Sequence, residues 1–355
     1  ITETVVHNFG GGSGDGSDPV AALLNVSGTL YGTTVNGGAS NAGTVYSIRP
    51  SYGTETVLHS FAGSLDGQNP YAGLIAHKGT LYGTTPNGGA YGAGTVYKLT
   101  PYGSESVLES FYSGSFGKNP VGGLIAVKGR LYGTTSAGGV YDTGTVFSLK
   151  PSGSETVLHA FGRSGDGTDP TAPLLNINGT IYGTTTSGGA YGGGTIFAIS
   201  ESAGHETLLH SFGDSSYDGA NPQYGQLTSL NGIMYGTTLH GGTYGRGTIF
   251  SITPYGTESV LHSFGGSSGD GTDPYGGLIA VNGALYGTTS GGGAHNAGTL
   301  YSITPYGAFT VLWDFGNGYD GARPRAGLIN INGLLYGTTT QGGAYGGGTV
   351  FALSL

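Results

Sequence analysis

The sequence predicts an all-β fold, a single seven-bladed β-propeller over residues 1–355, and three observations carry that expectation. The tetrapeptide Tyr-Gly-Thr-Thr begins at Tyr31, Tyr82, Tyr132, Tyr182, Tyr235, Tyr286 and Tyr336, at spacings of 51, 50, 50, 53, 51 and 50 residues. Each period holds four short β-type runs, the content of one propeller blade, and no stretch sustains a helical period. The chain opens in mid-unit on a fourth strand, "TETVVHNF" (Thr2 to Phe9), and closes on a third, "GTVFALSL" (Gly348 to Leu355). The two ends therefore add up to one blade, split between 1–9 and about 324–355.

The unit from Pro274 to Phe315 justifies each element in turn. "GGLIAVNG" and "ALYGTT" are strands joined at Asn282-Gly283, a tight-hairpin pair. A glycine-rich loop, "SGGGAHNAG", leads to the third strand "GTLYSI"; the turn "TPYG" leads to the fourth, "AFTVLWDF". "GNGYDGARP" then carries the chain to the next unit. Leu278 and Ile279 are adjacent, as are Leu285 and Tyr286, so apolar side chains leave both faces of the sheet. Radial stacking covers both faces, whereas an open solenoid needs polar caps that neither end supplies. Pairing the two ends also removes two sheet edges. Third strands begin at Gly43, Gly94, Gly144, Gly194, Gly247, Gly298 and Gly348, and fourth strands end at Phe9, Phe61, Phe111, Phe161, Phe212, Phe264 and Phe315. Seven of each makes seven blades. The glycines of "YGTTxxGG" are expected to supply positive backbone angles and close approach, with Thr and Tyr filling the layers between blades.

Composition narrows the function. The formal net charge is −9 with only 9% charged residues, against nucleic acid or an anionic membrane, which both need clustered Lys and Arg. The absence of cysteine removes disulfides and thiolate chemistry, and no apolar run approaches the ~20 residues of a membrane helix. The 76 glycines lack the three-residue period of collagen. No basic-then-apolar leader opens the chain at Ile1, so an export signal is expected to have been removed or never present.

The segment Ser263 to Gly307 resembles the GloVer (Gloeo-Verruco) extracellular repeat. The pattern is Ser-Phe, Asp-Gly, Pro, Gly-Leu-Ile, Leu-Tyr-Gly-Thr-Thr, Gly-Gly, then Gly-Thr-Val-Phe, and the likeness extends over essentially the whole chain. The resemblance implies a secreted, often surface-associated bacterial protein and implies no reaction. Phe116 departs from the loop Asp, and Arg323 from the Asn or Asp before Pro324. The longest spacing reflects extra residues around Glu201 to His205 and Gly213 to Tyr217.

In such a fold the inter-blade connections and the second-to-third-strand loops share one face. The connections carry Asp15 with Asp18, Asp166 with Asp169, and Asp270 with Asp273. Paired carboxylates could hold a hard cation, Ca²⁺ being the one candidate cofactor. An Asx-type turn is the preferred reading, because Asn substitutes for Asp and the loops lack the donors of a dedicated calcium site. The second set of loops carries Tyr91, Tyr141, Tyr191, Tyr244 and Tyr345, with Asn36, Asn87, His240, His295, Asn296 and Gln341. Aromatic rings beside amides and imidazoles suit the apolar face and hydroxyls of a sugar, the alternative being that these tyrosines lid the blade ends.

The fourth-strand histidines His7, His59, His159, His210 and His262, with Glu109 and Asp314 in the same slot of the other blades, are one per blade and cannot form a single metal cluster. They read as satisfied polar residues. No nucleophile elbow, HExxH or phosphate loop is present, and near-equivalent carboxylates do not separate an acid from a base. The expectation is an exported, non-catalytic, multivalent glycan-binding protein, extracellular or on the cell surface. Its partners would be glycans or other surface components, without nucleic acid or membrane insertion. A self-assembling structural or adhesive role is the alternative, and a glycan-cleaving hydrolase or lyase the second.

Overall fold

Seven four-stranded antiparallel sheets form the ring in a computed structural model that describes residues 2–112, 114–201 and 204–355. The first complete blade runs Leu24–Val26, Thr29–Thr34, Thr44–Arg49, Thr54–Ser60 from the channel outward. Five more blades repeat it. The seventh takes Ile329–Ile331, Leu334–Thr339 and Thr349–Ser354 from the C-terminal side and its outer strand, Glu3–Asn8, from the other end of the chain. The closing pairs run Glu3↔Leu353, Thr4↔Ala352, Val5↔Phe351, His7↔Val350 and Asn8↔Thr349. The ring is closed as the split blade predicts. Among the described residues no helix is long and apolar enough to cross a membrane.

Apolar cores lie in the seams between blades. Each phenylalanine that follows a fourth strand enters the seam and meets, edge-on or tilted, the aromatic ring of the next blade's third strand. Phe9 meets Tyr46 at 5.0 Å between centroids, and Phe264 meets Tyr301 at 5.3 Å. Both faces of each sheet are thereby covered. Tyr46, Tyr97 and Tyr301 occupy a slot that holds Phe147, Phe197, Phe250 and Phe351 in the other blades, and their buried hydroxyls have no partner among the described residues. Replacing any of the three with Phe is expected to raise stability by about 1 kcal/mol, since an unsatisfied buried hydroxyl is removed at constant ring packing. Chemical denaturation of the single variants checks this.

The repeated tetrapeptide holds the ring together through its threonines. The first Thr donates to a carbonyl at the inner edge of the next blade: Thr33 to Ala72 O at 3.0 Å, and Thr338 across the closure to Ala21 O at 3.4 Å. The second meets the first Thr of the third strand, Thr34 to Thr44 at 2.8 Å, and the same pair recurs in every blade. The glycines divide the two expected roles. A Cβ on Gly133 would lie 2.7 Å from the Phe147 ring, so this position serves close approach. Gly37 and Gly38 adopt positive φ, +81° and +73°.

One feature of the outer strands is absent from the repeat pattern. Every third–fourth strand pair carries a bulge, as between Val45↔His59 and Tyr46↔Val57, which leaves Leu58 unpaired. An unbroken strand would place residues 55, 57 and 59 on one face. With the bulge, Glu55 and Val57 share the face of Tyr46 and point to the preceding blade, while His59 shares the face of Val45 and points to the following one.

Candidate functional site

The inter-blade connection and the second-to-third-strand loop of each blade meet on one face, as expected, and pair with one another. Gly16–Ser17 runs antiparallel to Asn36–Gly37, and Gly219–Ala220 to Asn-equivalent His240–Gly241. Five blades form this two-stranded ribbon, and single bridges Gln68↔Asn87 and Ala322↔Gln341 replace it in the other two. The residue before the loop proline is left-handed in all seven copies, from Asn69 at φ +55° to Asp18 at +61°, which is why Asn and Asp dominate there. Arg323 adopts the same conformation at φ +57°.

The ribbon carries one protruding slot per blade: Ser40, Tyr91, Tyr141, Tyr191, Tyr244, His295 and Tyr345. Tyr91 is 69% exposed, Tyr141 46%, Tyr191 61%, Tyr244 54% and Tyr345 64%. Glycine lies under the rings. A Cβ on Gly11 would stand 2.9 Å from the Tyr345 ring, and one on Gly266 3.0 Å from the Tyr244 ring. Tyr91 instead rests edge-on against Tyr112 at 5.6 Å. These tyrosines do pack on neighbouring loop backbone, and they keep a large open surface at the same time. Tyr244 walls an open pocket of about 580 Å³ floored by His262, Asp270 and Phe309, and His295 walls one of about 300 Å³ with Trp313 and Asn317.

The accompanying polar residues divide. His240, His295 and Gln341 are exposed on the ribbon, and Asn87 is half-buried. Asn36 points its amide at Asp18 (3.4 Å), and Asn296 accepts from Gly292 N–H at 3.2 Å, closing its own loop.

The loop carboxylates of the first set have different neighbours. Asp15 accepts from Gly10 and Gly11 N–H at 2.8 and 2.9 Å, and Asp166 and Asp270 cap their connections likewise. Asp18, Asp169 and Asp273 sit at the left-handed position, where Asn69, Asn119 and Asn221 donate across the seam to Val35, Pro86 and Thr186 carbonyls. These are turn-forming roles.

What sequence reasoning missed lies in the seams. The fourth-strand histidines meet the Asp-Gly carboxylates: His59 to Asp66 at 3.2 Å, His159 to Asp166 at 3.0 Å, His262 to Asp270 at 3.2 Å, His210 to Asp218 at 3.5 Å and His7 to Asp15 at 3.9 Å. The register also corrects one assignment. Trp313, opposite Leu300, fills the histidine slot, and Asp314 lies one residue beyond it, opposite Thr299. Trp313 keeps the link by donating from Nε1 to Asp320 at 3.3 Å. Where Phe116 replaces the Asp, Glu109 replaces the His.

A glutamate from the following blade completes the seam, aimed there by the bulge. His7, Asp15 and Glu55; His159, Asp166 and Glu206; and His210, Asp218 and Glu258 bring their polar atoms within 4.8 Å of one another. Imidazole plus two carboxylates is also a donor set for a divalent cation. The His–Asp separation in these three clusters is 3.0 Å for His159, 3.5 Å for His210 and 3.9 Å for His7, and backbone N–H groups also cap each of the three Asp side chains. Burial, reinforced by the facing Asp320, Asp66 and Glu109 respectively, pushes Glu3, Glu105 and Glu155 up to about 7. Glu55 and Glu258 rise to about 7 for the same first cause. Burial also pushes Asp218 up, but the His210 contact and backbone N–H groups outweigh it and hold that carboxyl below its usual value. The sequence clue was the Glu recurring in "TETV" and "SESV", unreadable without the bulge.

Comparison with known proteins places these observations in context. A family model described as the Gloeobacter/Verrucomicrobia repeat matches residues 2–164, 91–272 and 267–355. No curated protein matches the sequence significantly. Among solved structures, virginiamycin B lyase from Staphylococcus aureus is similar with a TM-score of 0.65 at 13% identity, over 100% of this chain and 98% of that one. A streptogramin B lyase is similar with a TM-score of 0.66 at 14% identity, over 99% and 96%. The extracellular domain of a hybrid two-component system from B. thetaiotaomicron gives 0.63 at 13%, over 94% of this chain and 38% of that one. At such identities these likenesses establish the propeller fold alone.

Proposed function

From a chain that belongs to the Gloeobacter/Verrucomicrobia repeat family, and so presents one loop design seven times, we propose a non-catalytic carbohydrate-binding propeller that works outside the cell. The observation that carries the reading is the ring of tyrosines, each 46–69% exposed and set beside ribbon polar groups such as His240 and Gln341. A sugar ring stacks its apolar face on such a ring while amides and imidazoles take its hydroxyls. Each site is small and open, so useful affinity comes from repetition, and the ligand is a polymer or a crowded surface. The near-equivalence of the copies speaks against catalysis, which needs an acid and a base in unlike surroundings.

The full chain should bind saturably to a subset of a broad glycan array. Replacing Tyr91, Tyr191 and Tyr345 together with Ala should weaken that binding at least 10-fold, as avidity multiplies the three losses. A blank array overturns the reading, and new reducing ends or unsaturated sugars in the digest would replace it with a glycan-cleaving activity.

A second reading, a structural or adhesive component, draws on the opposite face. There the third-to-fourth-strand turns present Tyr102, Tyr255 and Tyr306 at 95%, 94% and 97% exposure. Sedimentation at high concentration decides it: ordered oligomers lost on replacing these tyrosines support it, and a monomer at all concentrations removes it.

A further inference from the structure

The ring is least symmetric where the connections reach the central channel. The residue after the loop proline is Val20, Tyr71, Val121, Thr171, Gln223, Tyr275 or Arg325. Structural positions elsewhere repeat seven times with little change, so this variety is not demanded by the fold. The fifth blade also carries one extra residue between Pro222 and Leu227, and Tyr224 there adopts φ +53°, a left-handed conformation unusual for tyrosine.

These departures assemble one structure. Tyr71 and Tyr224 stack at 6.4 Å between centroids and 24° between planes. Tyr224 and Tyr275 stack at 5.8 Å and 17°, and the Arg325 guanidinium lies 4.8 Å from the centre of the Tyr275 ring. The four residues come from the second, fifth, sixth and seventh blades, so the stack reaches across the channel mouth. Tyr71 and Tyr224 are 38% and 36% exposed, leaving ring surface open. Beneath them is a cavity of about 550 Å³, kept open by small residues such as Ala22, Gly73, Gly123, Gly277 and Gly327. That volume is within the range of small-molecule sites.

Arg325 supplies the chemistry. Among the described residues no carboxylate forms an ion pair with it, and its Nε is buried without a hydrogen-bond partner. The carboxylate that feels its charge is Asp18, where burial outweighs Arg325 and raises the carboxyl, and the two form no ion pair. A planar, uncompensated guanidinium beside aromatic faces is suited to a carboxylate attached to a ring, through a two-pronged contact that a lysine could not make.

We propose that the channel mouth is a single subsite for an acidic sugar, a uronate at or near a chain end, whose ring stacks on the tyrosines and whose carboxylate pairs with Arg325. The inference rests on the carbohydrate reading and adds to it a ligand class and a site of different stoichiometry: one per chain, against up to seven on the rim. A polymer bearing uronates would be anchored at the mouth and held by the rim.

Calorimetry at neutral pH with an oligogalacturonate and an uncharged galactan oligomer of equal length tests it. The wild-type chain should bind the acidic oligomer at least 10-fold more tightly. Arg325→Gln should abolish that preference while leaving uncharged binding intact, Arg325→Lys should keep only part of it, and Tyr224→Ala should weaken acidic binding. In the variant lacking Tyr91, Tyr191 and Tyr345, one acidic site per chain should remain, so failure of the rim reading leaves this signal standing. Equal binding of the two oligomers, no acidic binding, an unaltered preference in Arg325→Gln, or equal binding of a simple aromatic carboxylate overturns the proposal.

Discussion

Removing residues 1–9 is expected to abolish cooperative unfolding of the remaining chain. Those residues supply the outer strand Glu3–Asn8 of the closing blade, with five backbone pairs to Thr349–Ser354. They also supply Phe9, fully buried in the seam with Leu23, Leu30, Tyr46, Ile48 and Val350, and Asn8, whose Oδ1 accepts from Ala344 N–H at 2.8 Å. Phe9→Ala alone should cost about 3–5 kcal/mol, the usual price of a cavity left by a phenylalanine. The truncation removes the same ring, the strand and the cover over a further sheet edge at once. A domain's whole margin is about 5–15 kcal/mol, so little of it would survive. The expected readout is a broad, low-temperature melt with early hydrogen exchange at Thr349–Ser354, and recovery of a sharp melt on adding a peptide of residues 1–9. A truncated chain that melts sharply within a few degrees of the intact one would show that the ring does not depend on this closure.

The architecture was legible because its determinants repeat. The Tyr-Gly-Thr-Thr period, the Phe that ends each fourth strand and the half-blades at the two ends are all visible without coordinates. The seam chemistry was not, for a definite reason. Alternation along a strand is read with a period of two, and a bulge shifts the phase by one residue without leaving a mark in composition. Glu55 and His59 thus read as neighbours on one face, whereas they serve opposite seams. Placing Asp314 in the histidine slot is a plain one-residue offset in which the bulge plays no part: counted back from Phe315, as His59 is from Phe61, the slot is Trp313. The channel mouth was hidden differently. Arg325 stands out in the sequence as an odd-blade residue beside Arg323, but Tyr71, Tyr224 and Tyr275 do not repeat, and a reading built on recurrence passes over them and over the stack they form with it. The exposed slot tyrosines were found because their surrounding glycines persist while the slot residue varies, as Ser40 and His295 show.

The buried seam glutamates tie stability to pH: it should be highest near pH 5, fall as pH rises through about 7, and level off above about pH 8. Glu3, Glu55, Glu105, Glu155 and Glu258 are pushed from 4.5 to about 7 by burial in the folded chain. Between those values the folded state holds protons that the unfolded state has released, so stability falls as pH rises through about 7. His210 acts in the same direction, because its contact with Asp218 outweighs burial and raises it, and that contribution also disappears as pH rises. Asp15 and Asp218, held below their usual value against the pull of burial by His7 and His210 and by backbone N–H groups, act the opposite way. Their contribution is present above about pH 4 and lost only in stronger acid. At face value a carboxyl shift of this size corresponds to about 3 kcal/mol. These side chains lie at the solvent edge of the seams, and screening reduces the figure to about 1 kcal/mol each. Five together lower the melting temperature by on the order of 10 °C between pH 5 and 8.5. Glu105→Gln with Glu155→Gln should flatten the slope, since an amide has no proton to lose, and should raise stability at pH 8.5 relative to the parent chain. A melting temperature that rises from pH 5 to 8.5, or a slope unchanged in the double variant, would mean the buried glutamates are ionised throughout and the histidines alone balance them.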